Sequence, residues 1–226
     1  AENLAGSEEN FVEEMNKKSI ILGLSNTNFQ NSTGWPHKDH YMSSLDLAIL
    51  AKELYVKFPQ YMYYFAEKKY EYNGISQSNR NPLLHSNIGA DGLKTGYTKK
   101  SGYGLVASAI QEGRRLILVL NGIKSRKNRA VEAEKILGWG FREFENIELF
   151  NTNDIVESAS VWLGNKPNVD LLVKEDVLLT LAKGEKGNDL KATIKYSSPL
   201  MAPVYTNQIM GKLIIRKVNG QKIKEY

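Results

Sequence analysis

Apolar residues recur at helical spacing in three stretches of the chain. Phe11, Val12 and Met15 share one face of a helix that Ser7 can cap and that ends near Gly23. Leu47, Leu50, Ala51 and Leu54 follow Ser43-Ser44-Leu45-Asp46, a capping-box-like start, and Pro59 closes that helix region. Ala130, Ala133, Leu137, Phe141 and Phe144 define a third face over residues 126–144. Residues 24–41, rich in Asn, Thr, Ser, Gly and Pro, read as a long loop. Residues 64–79 alternate aromatic and polar positions around Asn73-Gly74, which predicts a β-hairpin. GYGLVASAI (102–110) and RRLILVLNG (114–122) are almost continuously apolar and are joined by Gln111-Glu112-Gly113, the pattern of strands covered on both faces.

The texture changes after about residue 148. Ile155 to Trp162, Val169 to Val173, Val177 to Ala182, Leu190 to Tyr196 and Lys212 to Val218 are short β-rich runs. Turn signals at Gly164-Asn165, Gly184, Gly187-Asn188, Pro199, Pro203 and Asn219-Gly220 separate them, which predicts a small sandwich or barrel. Its core is expected to include Trp162 and Ile214. The division is therefore a mixed α/β part over 1–147 and an all-β part over 148–226, with the boundary between about 146 and 153.

Composition removes several function classes. The 226 residues contain no cysteine, which excludes a disulfide scaffold, a zinc finger of cysteines and a thiol nucleophile. No apolar run approaches the roughly 18 residues of a membrane span. The net charge of +5 is not concentrated in a dense basic run, so nucleic acid is not an expected partner. The aromatic series Tyr61, Tyr63, Tyr64, Phe65, Tyr70 and Tyr72 is assigned to packing around the hairpin rather than to base stacking. His37 and His40 flank Asp39 in the loop and His85 is distant, so no metal site is expected. Residues 1–5 read as the tail of a helix, and the run after Asn219-Gly220 is short for a returning strand. The chain thus reads as an interior piece of a longer protein.

Lys94-Thr95-Gly96 precedes the first long apolar run. An ammonium and a hydroxyl on adjacent residues present donors to a carboxylate, and glycine leaves room for a ligand backbone. On its own, the tripeptide is also what a surface loop with an exposed lysine looks like.

The surroundings of this tripeptide carry a resemblance. DGLKTGYT, SGYGLVASA, the GRRLI strand and the helix ending GWGFREFE resemble the low-molecular-mass penicillin-binding proteins, the serine-type D-alanyl-D-alanine carboxypeptidases. Upstream, AGSEENFVEEMN, FQNSTGWP, HYMSSLDLAILA and YEYNGISQSNRNPLL are similar to the same family, as are VWLG and KATIKYSSPLMAPV downstream. The resemblance implies an α/β (α+β) penicillin-binding/serine β-lactamase-like transpeptidase domain, in part, followed by a small all-β sandwich-like C-terminal domain. It implies an active site of three motifs: a Ser-x-x-Lys with the nucleophile and its base, a Ser-x-Asn, and the Lys-Thr-Gly. Only the third is placed here, so no catalytic residue is assigned in this chain. By resemblance, Lys94, Thr95 and Gly96 hold the terminal carboxylate of a D-Ala-D-Ala peptide or the acid group of a β-lactam. Arg129 matches a family arginine near that carboxylate, its alternative being a helix-surface residue. Tyr97 stands where some members carry histidine.

The resemblance further implies acyl transfer without cofactor or metal, with a backbone N–H after Gly96 among the oxyanion donors. The peptidoglycan pentapeptide and β-lactam antibiotics are the expected ligands. The expected location is the periplasm or cell envelope, with membrane attachment through a C-terminal segment outside the chain. The rival readings are a noncatalytic peptidoglycan- or protein-binding module of the same fold and a serine β-lactamase. The β-rich part argues against the latter.

Overall fold

The computed structural model describes residues 1–185 and 189–226, so the turn expected at Gly187-Asn188 lies outside the described residues. The chain divides into two compact units, Ala1–Arg142 and Glu143–Tyr226. The division falls a few residues before the change of sequence texture. The segment from Phe144 pairs as a strand inside the second unit instead of continuing the preceding helix.

In the first unit, α1 (Glu2–Ala5) leads to α2 (Glu8–Ile21), whose Ser7 hydroxyl accepts from Asn10 N at 3.1 Å. Short strands β1 (Thr27–Asn28) and β2 (Tyr41–Met42) pair antiparallel across the long loop. Helix α3 (Ser44–Lys57) is capped by Ser43, which accepts from Asp46 N. A 3₁₀ turn at Pro59–Tyr61 and a single turn α4 (Tyr63–Ala66) lead to the hairpin β3 (Lys69–Tyr72) and β4 (Ile75–Ser78). Every residue of β3 and β4 is exposed, so the expectation that Tyr70 and Tyr72 pack in the hairpin is corrected. A two-stranded ribbon has two solvated faces unless another element covers one, and alternation alone does not reveal the cover.

Strands β5 (Ala90–Thr98), β6 (Gly102–Gln111) and β7 (Arg114–Ile123) form an antiparallel sheet in that order, so β5 is an edge strand. Leu105, Ala107, Ala109 and Leu118 pack with Leu83, Ile88 and the α5 (Arg126–Glu143) residues Ala133, Leu137 and Phe141. Val106 and Ile117 pack against a cluster built on Ala51, Met62 and Leu93. Apolar cover on both sides explains why β6 and β7 lack polar alternation in sequence.

The second unit contains β8 (Phe144–Phe150), β9 (Ile155–Trp162), β10 (Asn168–Leu172), β11 (Val177–Ala182), β12 (Leu190–Tyr196), β13 (Leu200–Met201), β14 (Gly211–Lys217) and β15 (Lys222–Glu225). Its sheets are β11-β8, β10-β9-β13 and β12-β14-β15. All pairings are antiparallel except β13 with β9. Val173, Val177, Leu179, Leu181, Leu213 and Ile215 form the core, and Ile214 is also buried. Trp162, expected in this core, is 58% exposed. It ends β9, where the alternation sends Ala159 inward and Ser160 and Trp162 outward. No helix among the described residues is long and apolar enough to cross a membrane.

One carboxylate ties the loop before β1 to α3. Asp46 is buried, and its Oδ2 accepts from Asn26 N at 2.8 Å and Thr27 Oγ1 at 2.6 Å. The Thr27 hydroxyl, ahead of the Asn26 and Ser43 contacts, holds its carboxyl below the ordinary carboxylate range. A depressed folded-state pKa adds stability that is complete above the unfolded value of about 4 and is lost as pH falls toward the folded one. Melting curves of the wild type and Asp46→Asn should therefore differ most at neutral pH and converge below about pH 4. A constant difference across that range would remove Asp46 as the cause.

Candidate functional site

Lys94, Thr95 and Gly96 lie within β5 rather than in a loop before the first strand. The segment is strand-paired because Thr98 to Gly102 is a tight connection: the Thr98 hydroxyl accepts from Ser101 N and contacts Ser101 Oγ, both at 2.9 Å. Across β6, Lys94 is opposite Val106, Thr95 opposite Leu105, Gly96 opposite Gly104 and Tyr97 opposite Tyr103. Successive side chains point to opposite faces, so Lys94 and Thr95 reach around the free edge of β5 from either side. Lys94 is exposed, and its Nζ donates to Thr95 O at 2.6 Å. A side chain at Gly96 would meet no atom within 4 Å, so the strand edge is open there.

Arg129, with the surface of α5 as one of its readings, is buried at 6% exposure. Its Nη1 donates to Gly104 O at 3.4 Å and its Nη2 to Arg80 O at 3.3 Å, and its guanidinium sits 5.8 Å from the centre of the Tyr103 ring. Its Nε is buried without a hydrogen-bond partner among the described residues. Burial, followed by nearby Arg126, lowers its pKa from the ordinary arginine value. The fold thus brings Arg129 to the carbonyl of Gly104, the residue paired with Gly96. A cation with a spare buried donor, an exposed ammonium and a hydroxyl around a step without side chains suit an anionic group.

A second polar cluster precedes the tripeptide on β5. Arg115 Nη1 donates to both oxygens of Asp91, at 2.8 and 2.6 Å, and to Ser108 Oγ, while Tyr55 OH donates to Asp91 Oδ1 at 3.0 Å. The Arg115 guanidinium lies 3.9 Å from the centre of the Tyr55 ring, and burial pushes the Tyr55 phenol up to about 12. Asn81, also buried, donates from Nδ2 to Gly92 O at 2.7 Å. These groups pin the start of β5, where the register with β6 shifts between Ala90 and Gly92. Sequence reasoning missed this cluster and the Tyr97–Tyr103 pair. The near-symmetric spacing of the tyrosines about residues 98–102 is the signal that would have shown the pair.

Among the described residues, no group of three or more His, Asp or Glu gathers as a metal site. His37 Nδ1 accepts from Asp39 N and His40 Nδ1 from Gln30 N, both at 3.2 Å.

Residues 1–125 match the D-alanyl-D-alanine carboxypeptidase family, and residues 144–226 match the C-terminal domain of penicillin-binding protein 5. The chain belongs to the D-alanyl-D-alanine carboxypeptidase family. It is 39% identical over 227 aligned residues to D-alanyl-D-alanine carboxypeptidase DacA of Escherichia coli, the match covering all of this chain and 56% of that protein. Its fold is similar to that of penicillin-binding protein 5 from Haemophilus influenzae, with a TM-score of 0.89 and 36% identity over the whole chain and 66% of that one. Its first part is also similar to penicillin-binding protein D2 of Listeria monocytogenes in a cefotaxime-bound form. There the TM-score is 0.55 and the identity 29%, over 58% of this chain and 55% of that one. The chain therefore spans just over half the length of the curated carboxypeptidase it matches. Within that span the family's Lys-Thr-Gly is present, while no Ser-x-x-Lys or Ser-x-Asn occurs anywhere in the sequence.

Proposed function

We propose that this chain is the carboxylate-binding and C-terminal part of a serine-type D-alanyl-D-alanine carboxypeptidase of peptidoglycan, the nucleophile lying on residues outside it. In this reading Lys94, Thr95 and Arg129 hold the terminal carboxylate of a D-Ala-D-Ala peptide at the open edge beside Gly96. The serine Oγ bonds to the penultimate carbonyl carbon, the C–N bond to terminal D-Ala breaks, and the departing nitrogen takes a proton. Water then hydrolyses the ester and frees the serine. A backbone N–H beyond Gly96 is one donor to the oxyanion. β-Lactams enter the same site through their acid group. The setting is the bacterial periplasm, with membrane attachment through a segment outside these residues, and the two units act as separate domains.

The observation that supports this reading most is Arg129, buried with an unpartnered Nε at the carbonyl opposite Gly96. The carboxypeptidase names of the relatives weigh against a noncatalytic module.

The test is Lys94→Ala in the parent protein that carries the serine. Loss of one charge-assisted contact is worth on the order of 1.5–3 kcal/mol, a ten- to hundredfold fall in β-lactam acylation and in release of D-Ala. Unchanged acylation rates would remove Lys94 from the site.

A further inference from the structure

We propose that Lys99, Lys100, Lys124, Arg126 and Lys127 form a cationic rim that favours acyl donors carrying a second carboxylate, upstream of the D-Ala-D-Ala end. This rests on the reading of Lys94, Thr95 and Arg129 as the site of the terminal carboxylate.

The five residues come from two segments that the sheet brings together. Lys99 and Lys100 lie in the turn from β5 to β6, and Lys124, Arg126 and Lys127 follow β7 into α5. Thr98 pairs with Gly102 and Tyr103 with Ile123, so both segments stand at the same end of the sheet. The approach is close, since a β-carbon on Gly102 would lie 3.0 Å from Ile123 O. All five side chains are exposed. Among the described residues, none of them is ion-paired with a carboxylate. From Gly92 to Val131 the one acidic residue is Glu112, and it sits in the turn between β6 and β7 at the opposite end of the sheet.

Two of the five also run against local electrostatics. Arg126 and Lys127 occupy the first turn of α5, where the helix dipole favours acidic residues, and that turn has none. Charges gathered against both their neighbours and the helix cost stability, which a bound anion offsets. After burial, Arg126 is the next cause of the lowered Arg129 pKa, so the rim adjoins the carboxylate site.

The direction of the substrate follows from the proposed acyl transfer. The terminal carboxylate is at Thr95 and an oxyanion donor lies beyond Gly96, so the penultimate carbonyl is further along β5. The acyl part therefore runs on toward Thr98 and the cationic turn. An extended chain advances about 3.4 Å per residue, which carries the residues before the scissile bond past the rim. A carboxylate there meets several cations without a partner, whereas an amide of the same size does not.

The experiment compares kcat/KM for N-succinyl-Gly-D-Ala-D-Ala and its N-succinamoyl isostere, using the parent protein that carries the serine. At about 0.01 M salt the wild type should favour the succinyl peptide by about three- to tenfold, the scale of a few exposed charge pairs. Raising the salt to about 1 M shortens the screening length from about 30 to 3 Å and should remove most of that preference. Changing Lys99→Gln, Lys100→Gln, Lys124→Gln and Lys127→Gln together should remove it at low salt, with the neutral peptide turned over at the wild-type rate. The corresponding changes to Glu should reverse it. A ratio that ignores both salt and these substitutions overturns the rim; if Lys94→Ala still slows both peptides, the carboxylate reading stands without it. Should Lys94→Ala leave both peptides unaffected, the carboxylate reading falls, and the substrate direction that leads to the rim falls with it.

Discussion

Incubated with a penicillin, the isolated 226-residue chain is expected to gain no covalent adduct by intact-mass spectrometry. Acylation needs a hydroxyl whose proton a neighbouring base removes. The hydroxyls of Ser108, Thr98, Ser101 and Ser44 have other partners. Ser108 is buried and faces the Arg115 guanidinium, a cation that accepts no proton. Thr98 and Ser101 bond to each other, and Ser44 Oγ accepts from Asn121 Nδ2. None of these contacts includes a lysine or histidine nitrogen. Lys94 itself is bound to a backbone carbonyl. Donors that stabilise a tetrahedral intermediate do little without an attacking oxygen, and removing the nucleophile of a catalytic serine system costs roughly six orders of magnitude. A stoichiometric adduct on this chain would require a nucleophile outside the three-motif scheme and would sink the proposed function.

The residues that were legible in the sequence are those whose role is local or periodic. Ser7 and Ser43 cap α2 and α3 because their hydroxyls need only reach an amide three residues ahead. The α5 face was readable for the same reason, since Ala133, Leu137 and Phe141 repeat at helical spacing and are all buried. What escaped depends on residues far apart in the chain. The tripeptide Lys94-Thr95-Gly96 has too few apolar residues to announce a strand, yet its pairing with β6 fixes it as one. Asp91 finds Arg115 only because β6 and β7 bring position 115 back beside it. Trp162 looked like core by type, but its position on β9 turns it outward. The candidate site was legible as a motif through resemblance. Its geometry was not, because the depth of Arg129 is set by the packing of α5 beneath the sheet.

That packing makes Leu105→Ala the most damaging single change expected in the first unit. Leu105 is 1% exposed and joins the core with Leu83, Leu118, Leu137 and Phe141, so truncation leaves a cavity that rigid neighbours cannot fill. The cost should be about 2–5 kcal/mol, a fall in melting temperature of roughly 5–15 °C for a chain of this size. Leu105 is also the direct partner of Thr95 and the chain neighbour of Gly104, whose carbonyl holds Arg129. Relaxation into the cavity is therefore expected to displace Thr95 and Arg129, the proposed carboxylate donors, and acylation of the parent protein by a β-lactam should slow well below the melting transition. Ile215→Ala supplies the control. Ile215 is fully buried in the core of the second unit and should lose comparable stability, and its strand partners are Ala192 and Lys224. Its acylation rate at low temperature should match the wild type. Equal slowing in both variants would show that the rate follows global stability, and the link from the core through Thr95 and Gly104 to the site would have to be abandoned.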